Sequence, residues 1–194
     1  MEIAPGFTCE AWKALDLSKP NNNDWEIAIS VLRSRMTERY IDPVDILIDH
    51  EKSKHFSKRR FGFTILAIDC LLIETLQAFK DGNEETKWRE GKSVFVNYLT
   101  QSSNLGKHFN KDLAAEFYLS YRNGILHQAQ IKENHLVWSI GSVVDNLDDT
   151  MIINRTEFHK CLKKDFDEYL NILKDINSVE LRSNFKYKMD TLCK

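Results

Sequence analysis

The longest regular pattern in this sequence is an apolar stripe in the segment from Ser57 to Lys80. Large apolar side chains recur there at steps of three and four residues: Phe61, Ile65, Ile68, Leu72, Leu76 and Phe79. This spacing places them on one face of an α-helix, so the segment predicts a long helix that packs in the core. Asp81-Gly82-Asn83 follows, and a glycine directly after the last turn commonly ends a helix.

Several other segments repeat the helical pattern. Predicted helices cover residues 24–41, 44–52, 85–99, 111–130 and 155–176, and Trp88 is one of the inward-facing residues of the third. The 194 residues include only 7 glycines and 3 prolines, which favours helices over a loop-rich or all-β fold. Two short β-rich runs around a polar turn predict a β-hairpin at about 134–154. The predicted fold class is all-α, a helical bundle with one small hairpin.

The strength of the pattern divides the chain into three parts. Residues 1–23 are weakly patterned and end in the loop signal Lys19-Pro20-Asn21-Asn22-Asn23, so they are predicted to be an N-terminal extension. Residues 24–178 carry the helices and the hairpin, and they form the predicted helical domain. Residues 179–194 are basic and loosely patterned, which predicts a C-terminal helix or a frayed tail.

Charge and cysteine spacing limit the partners and the compartment. The net charge is −2, whereas many nucleic-acid binders are strongly basic, so any RNA contact needs a local basic patch. The cysteines lack zinc-binding spacing, and no metal or cofactor is expected; they are Cys9, Cys70, Cys161 and Cys193. The N-terminus lacks the features of a signal peptide, and the longest apolar run, Ile65–Ile73, is too short to cross a membrane. We therefore expect a cytoplasmic protein without a membrane partner.

Three polar residues stand together near the end of the segment from Lys111 to Gln130, which is called the motif helix below. Each residue advances about 100° around a helix, so Asn123 and His127 lie on one face, about 40° apart. Arg122 lies about 140° from His127 around the axis, but its side chain is long enough to reach the same pocket. Gly124 costs about 1 kcal/mol relative to alanine inside a helix. Close approach of another backbone or of a ligand usually explains such a glycine.

These residue types suit the cleavage of a phosphodiester. A neutral imidazole can act as general base, and an imidazolium as general acid, near neutral pH. A guanidinium can hold a phosphate through two parallel hydrogen bonds. The groups are the minimum set for such a cleavage without a metal. The alternative is structural: a surface arginine, a half-buried histidine bonded to a backbone carbonyl, and an asparagine that caps an irregularity at Gly124.

Arg122-x(4)-His127, with Asn123 directly after the arginine, resembles the Arg-x(4–6)-His signature of HEPN domains. Tyr121 and the ending Leu126-His127-Gln128-Ala129 are similar to a bacterial subgroup of that family. The resemblance implies a HEPN-like helical bundle over residues 24–176, in which two protomers pair so that both motifs face one cleft. Active members are metal-independent endoribonucleases, often toxins or antiviral defence effectors. Other members bind RNA or a nucleotide without cutting.

The resemblance implies a homodimer that cleaves RNA, with Arg122, Asn123 and His127 as the catalytic residues. One His127 would take the proton of the 2′-hydroxyl, and the second copy, or water, would protonate the leaving oxygen. A cognate antitoxin or a regulatory protein would be a further partner. Two alternatives remain open: a non-catalytic module that binds RNA, a nucleotide or a protein, and a scaffold without chemistry of its own.

Supporting residues are expected around this motif. Asp69 or Glu74, on the predicted core helix, is expected to pair with Arg122 and orient it, because family members often carry an acidic residue there. Asp69 could instead be partly exposed at the edge of the bundle. Tyr121 and Tyr118 could stack on a base, or they could be core or dimer contacts.

The densest basic cluster of the sequence precedes the predicted core helix. It either binds phosphate or is the solvated beginning of that helix. Its members are Lys52, Lys54, His55, Lys58, Arg59 and Arg60. His108, His135 and His159 have no evident partner in the sequence, and no role is predicted for them.

Overall fold

The computed structural model describes residues 1–84, 90–132 and 135–194, and helices make up 64% of them. The helices are α1 (Cys9–Lys13), α2 (Asp24–Met36), α3 (Asp42–Lys52), α4 (Gly62–Asp81), α5 (Gly91–Gln101), α6 (Lys111–Phe117), α7 (Asn123–Gln128), α8 (Arg155–Lys174) and α9 (Val179–Thr191). The strands are β1 (Glu2–Ala4), β2 (Phe7–Thr8), β3 (His135–Trp138), β4 (Val144–Leu147) and β5 (Thr150–Asn154). The prediction of a mostly helical protein is confirmed.

The predicted core helix is α4. All members of its apolar stripe are buried or half-buried, and Leu72, Leu76 and Phe79 belong to the hydrophobic core. Helices α5, α8 and α9 pack against it. Gly82 ends it in the left-handed conformation, with φ of 66°, as the sequence predicted. The helix is long and apolar enough to cross a membrane, but 56% of its apolar window is buried inside the protein, as in a core helix.

Within the described residues, π-helical turns join two pairs of helices end to end. Residues Thr37–Ile41 connect α2 to α3, and residues Tyr118–Arg122 connect α6 to α7. The motif helix is therefore continuous, as predicted, from Lys111 to Gln128, and it ends two residues before the predicted Gln130. The sequence predicted separate helices at 24–41 and 44–52, but the chain continues through the π-helical turn into α3. Pro43 lies in the first turn of α3, a position at which proline is tolerated.

Both ends of the chain pack into the same core. Ile3 and Trp12 are buried near the N-terminus, and Phe185 and Met189 of α9 are fully buried. The Trp12 indole donates a hydrogen bond to Asp190, with 2.8 Å between nitrogen and oxygen. Residues 1–23 and α9 therefore stabilise the helical bundle directly, and residues 179–191 form a packed helix.

The segment after the motif helix forms a three-stranded sheet in the order β3-β5-β4, not the two-stranded hairpin that was predicted. Strands β4 and β5 are antiparallel, and Asp148 and Asp149 make the turn between them with positive φ angles. Strand β3 pairs with β5 in parallel, from His135–Met151 to Trp138–Asn154. A pairing of this kind links residues that are distant in sequence, so strand patterns alone do not predict it.

Two predictions fall partly outside the described residues. The predicted helix at 85–99 begins in residues 85–89, which include Trp88, and its described part is α5. The predicted hairpin begins at residue 134, one residue before β3.

Candidate functional site

A π-helical turn in the motif helix determines how the side chains of Arg122 and His127 are oriented relative to each other. Arg122 is the last residue of that turn, and Asn123 begins α7. A π turn inserts an extra residue into the helical path, so the side chains that follow it are rotated relative to those before it. Such turns are frequent at functional sites. Helix α7 ends at Gln128, and the next residue, Ala129, has a left-handed φ of 52°.

Gly124 lets the chain fold back tightly after α7. A Cβ atom at this position would lie 2.3 Å from the backbone oxygen of Gln130 and 3.1 Å from the Cα atom of Ile131. The Gln130 amide donates a hydrogen bond to the carbonyl oxygen of Gly124 at 3.2 Å. The predicted close approach of another backbone is therefore confirmed, and it sets the direction in which the chain leaves the site.

The side chains of Arg122, Asn123 and His127 contact one another. Nη1 of Arg122 lies 3.1 Å from Oδ1 of Asn123 and 3.2 Å from Nε2 of His127. A guanidinium only donates, so a hydrogen bond at this contact requires Nε2 of His127 to be the acceptor. His127 is exposed. The three residues therefore form one solvent-reachable cluster.

Glu74 of α4 orients the Arg122 guanidinium. Its Oε1 atom lies 2.8 Å from Nε and 2.6 Å from Nη2 of Arg122. The two side chains are 18% and 25% exposed, so water screens this ion pair less than a surface pair. The ring of Tyr118 lies 5.5 Å from Cζ of Arg122, within cation–π distance. The predicted pairing of an α4 carboxylate with Arg122 is confirmed for Glu74.

Asp69 does not take part in this cluster, contrary to the expectation that it would support Arg122. It is fully buried, and its Oδ1 atom lies 2.6 Å from Nδ1 of His159, which is also fully buried. The expectation of a partly exposed Asp69 is therefore also wrong. Burial raises the pKa of Asp69, and the hydrogen bond from His159 opposes that shift. His159 was missed, although it lies on the apolar side of α8 with Leu162 and Phe166.

Tyr121 is a structural residue, and it cannot stack on a base because its side chain is buried. Its hydroxyl lies 2.6 Å from the carbonyl oxygen of Met151 and 3.0 Å from that of Leu136. Burial raises the pKa of Tyr121. The residue thus attaches the motif helix to strands β3 and β5, while Tyr118 is only half-buried and lies beside Arg122.

The basic cluster before α4 is partly structural. Arg59 donates from Nη1 to the hydroxyl of Ser139 at 3.0 Å and from Nε to the carbonyl of Lys54 at 3.2 Å. Lys52, Lys58 and Arg60 are exposed and could still contact a phosphate. The interpretation as a solvated helix start fits the exposed members, whereas Arg59 connects this loop to the end of β3.

In residues 1–84, 90–132 and 135–194, no group of three or more histidine, cysteine, aspartate or glutamate side chains is arranged to hold a metal ion. Comparison of the chain with protein-family models, with curated proteins and with solved structures gave no significant match. The contacts among Arg122, Asn123, His127 and Glu74 are therefore the features of the chain that point to a function.

Proposed function

We propose that this protein is a metal-independent endoribonuclease with a HEPN-like helical bundle, and that it acts in the cytoplasm as a toxin or an antiviral defence effector. The observation that carries the proposal is the 3.2 Å contact between Nη1 of Arg122 and Nε2 of an exposed His127. A cation that can bind phosphate and a group that can move a proton are thus within reach of one phosphodiester.

In the proposed reaction, the incoming phosphate replaces His127 as the hydrogen-bond partner of Nη1 of Arg122. The freed Nε2 of His127 then takes the proton of the ribose 2′-hydroxyl as the 2′-oxygen attacks the adjacent phosphorus. The bond from phosphorus to the 5′-oxygen breaks, and the second copy of His127, or water, protonates that oxygen. Arg122 stabilises the negative charge that develops on the phosphate, and Asn123 positions the phosphate or the imidazole. The products are a 2′,3′-cyclic phosphate and a 5′-hydroxyl.

A homodimer follows from the requirement for both a base and an acid. Each protomer supplies a single motif histidine, and a two-fold axis beside the motif brings a second copy into the same cleft. Exposed leucines lie on the elements that carry the site: Leu71 is one turn before Glu74 on α4, and Leu126 directly precedes His127. Apolar surface at these positions suits a subunit interface.

The pairing of Arg122 with a carboxylate favours a second candidate function, one without catalysis. Glu74 accepts two hydrogen bonds from Arg122, and Asn123 and His127 engage its Nη1 atom. Since a carboxylate already neutralises this guanidinium, the cluster could instead organise a surface without chemistry. The second candidate is a non-catalytic HEPN-like module that binds RNA, a nucleotide or a protein such as a cognate antitoxin.

Cleavage of labelled single-stranded RNA in the presence of EDTA separates the two candidates. The wild-type protein is compared with His127→Ala and Arg122→Ala, and with His108→Ala as a control for the loss of an imidazole. His108 precedes the motif helix, and His127 lies about 24 Å along the axis of that helix from Lys111. Circular dichroism checks that each variant is folded.

The nuclease proposal predicts cutting by the wild type and by His108→Ala, and its loss in the other two variants. Equal cutting by all four proteins would indicate a contaminating ribonuclease and would end the proposal. Binding of RNA by all four proteins without any cutting would favour the non-catalytic module.

A further inference from the structure

A second concave site lies away from the motif helix, where the beginning of α2 meets the end of α8 and the beginning of α9. The cavity there has a volume of about 570 Å³, within the range of small-molecule sites. Its lining includes Asn21, Asn22, Asn23, Ile29, Lys174 and Arg182. An adjoining cavity of about 240 Å³ shares Trp25, Ile176 and Arg182 with it and adds the apolar side chains of Leu17 and Val179.

Arg182 is an unusual residue for a cavity wall because only 4% of it is exposed. Its Cζ atom lies 3.7 Å from the ring centroid of Trp25, and its Nη2 atom donates to the carbonyl oxygen of Pro20 at 2.9 Å. Nε and Nη1 of Arg182 and Nε1 of Trp25 have no acceptor within the part of the chain that the structure describes. Buried donors of this kind are costly unless an acceptor satisfies them.

The charges around the cavity favour an anion. Burial lowers the pKa of Arg182, and Asp175 opposes the shift, but an arginine stays charged at neutral pH. Lys174 adds an exposed ammonium group, and Arg33 lies on the wall in an ion pair with Asp167 at 2.7 Å. The positive end of the α2 dipole points toward the same place.

Glu26 is the acidic residue on this wall, and its side chain is exposed. The wall therefore carries two arginines and one lysine against one glutamate. Two aspartates outside the lining also act on these charges: Asp167 pairs with Arg33, and the charge of Asp175 acts on Arg182. The uncompensated donors belong to Arg182 and Trp25. These donor atoms are covered by protein, so a ligand that brings oxygen acceptors would satisfy them after a small shift of the Arg182 side chain toward the cavity that it lines. A cation or a donor-only ligand would not satisfy them.

We propose that this cavity binds a small organic anion, with a phosphate or carboxylate group near Arg182 and Lys174. The apolar or flat part of the ligand would lie against Ile29 and Ile176 and extend toward Val179. The site is independent of the ribonuclease motif, and its ligand could act as an effector or as a substrate of a separate step. A phosphate group and a carboxylate group offer the same oxygen acceptors, so the test includes both.

Isothermal titration calorimetry and thermal shift with three probes test the proposal. The probes are inorganic phosphate, adenosine monophosphate, which places a phosphate on an aromatic body, and octanoate, which places a carboxylate on an aliphatic one. We expect at least one organic probe to bind with Kd below about 1 mM and to raise Tm. Binding of adenosine monophosphate but not octanoate would indicate that the natural ligand carries a phosphate group. Binding of octanoate but not adenosine monophosphate would indicate that it carries a carboxylate group.

Variants locate the binding. Arg182→Lys keeps the charge but removes the guanidinium, and Lys174→Glu reverses an exposed charge with little risk to folding. Each is expected to weaken the binding of the preferred probe about tenfold or more, the effect of one lost charge-assisted hydrogen bond. Lys164→Glu, an exposed residue on α8 that does not line the cavity, is the matched control and should bind as the wild type does.

Three results would overturn the proposal. The first is that none of the probes saturates the protein at millimolar concentration. The second is that Lys174→Glu and Lys164→Glu bind a probe equally well, which would place the binding elsewhere or make it non-specific. The third is that only a long RNA, and none of the three probes, responds to Lys174→Glu, which would make this surface an RNA contact. RNA cleavage is not a readout here, so failure of the ribonuclease proposal would not affect the result.

Discussion

Arg122 is the residue on which the candidate ribonuclease site depends most, because it contacts Glu74, Asn123 and His127 at once. These contacts fix the plane of the guanidinium without the help of a ligand. A phosphate that arrives beside His127 would therefore meet a preorganised cation, which is the arrangement that favours transition-state stabilisation.

Removal of the charge on Glu74 tests whether this orientation matters. In Glu74→Gln, Arg122 keeps its own charge but loses the ion pair that holds it. We expect kcat for RNA cleavage to fall about 10- to 100-fold with little change in KM. A misplaced guanidinium weakens the stabilisation of the transition state more than it weakens the binding of the substrate.

The control for this prediction is Glu157→Gln, which breaks an exposed glutamate–lysine pair on α8 at 2.6 Å. Steady-state cleavage kinetics of both variants are the measurement. A rate for Glu74→Gln that equals or exceeds the wild-type rate would mean that Glu74 restrains Arg122 rather than positioning it.

Gly124 is the second residue with a specific prediction. Alanine would gain about 1 kcal/mol of helix propensity, but its Cβ would overlap the backbone oxygen of Gln130 at 2.3 Å. Backbone atoms in a tight turn move only at a cost, so we expect Gly124→Ala to lower the free energy of unfolding by about 1–3 kcal/mol. Urea denaturation measures this change.

Gly62→Ala is the matched control, because both glycines are helical. The added Cβ at Gly62 would lie 2.8 Å from Cγ1 of Val137, a side-chain atom that can rotate away. Its loss of stability should be clearly smaller than that of Gly124→Ala. Equal losses in the two variants would contradict the backbone explanation for Gly124.

At the scale of elements, Glu51 connects three helical segments through one buried carboxylate. It accepts hydrogen bonds from the backbone amides of Arg60 and Phe61, just before α4, and from Nη2 of Arg155 in α8 at 2.7 Å. Burial alone raises the pKa of Glu51, but these three donors outweigh it, and the net shift is downward. Glu51 itself lies in the last turn of α3, so a single side chain fixes the α3–α4 loop against α8.

The direction of that shift predicts acid sensitivity. A carboxyl group with a lowered folded-state pKa stabilises the protein fully above its ordinary pKa, and the contribution is lost as the pH falls through the folded-state pKa. In Glu51→Gln we expect a loss of about 2–4 kcal/mol at pH 7 and a flatter decline of stability below about pH 4. Urea unfolding at a series of pH values measures both. Parallel stability curves for the variant and the wild type would contradict this role.

The two acidic residues of α4 show what the sequence could and could not predict about contacts between helices. Asp69 and Glu74 are five residues apart and thus about 140° apart around α4, so they face different neighbours. The sequence indicated that one carboxylate would meet Arg122, but the choice depended on the rotation of α4 against the motif helix. Asp69 meets His159 instead, 90 residues along the chain, and no local pattern connects those two positions.

At the scale of the whole molecule, the helices were predictable where apolar spacing repeats over many turns, as from Ile65 to Phe79. The close backbone contact at Gly124 was also predicted, as one of two explanations for a glycine inside a helix, the other being a ligand. The parallel pairing of β3 with β5, the π-helical turns and the contribution of Trp12 to the core were not. Each of these depends on contacts between distant segments, which a single sequence does not encode in any local pattern.

The proposed dimer is a prediction at this scale. We expect light scattering to give about twice the chain mass of 22.7 kDa at concentrations where the protein cuts RNA. Leu126→Glu, which places a charge at a 45% exposed position beside His127, should shift the protein toward the monomer. Leu147→Glu, at a 57% exposed position on β4, should leave the dimer intact. A wild-type monomer that still cuts RNA would contradict the composite site.

The chemical groups at the ends of the RNA fragments show whether Arg122 and His127 cleave RNA by attack of the 2′-hydroxyl. Mass spectrometry of the fragments made by the wild type in EDTA should find 2′,3′-cyclic phosphates and 5′-hydroxyls, and a substrate with a 2′-deoxy sugar at the cut position should stay intact. The His127→Ala variant, purified in the same way, should make no such fragments. Fragments with 3′-hydroxyl and 5′-phosphate ends, or equal amounts of cyclic phosphate from the variant, would contradict the role of Arg122 and His127 in cleavage.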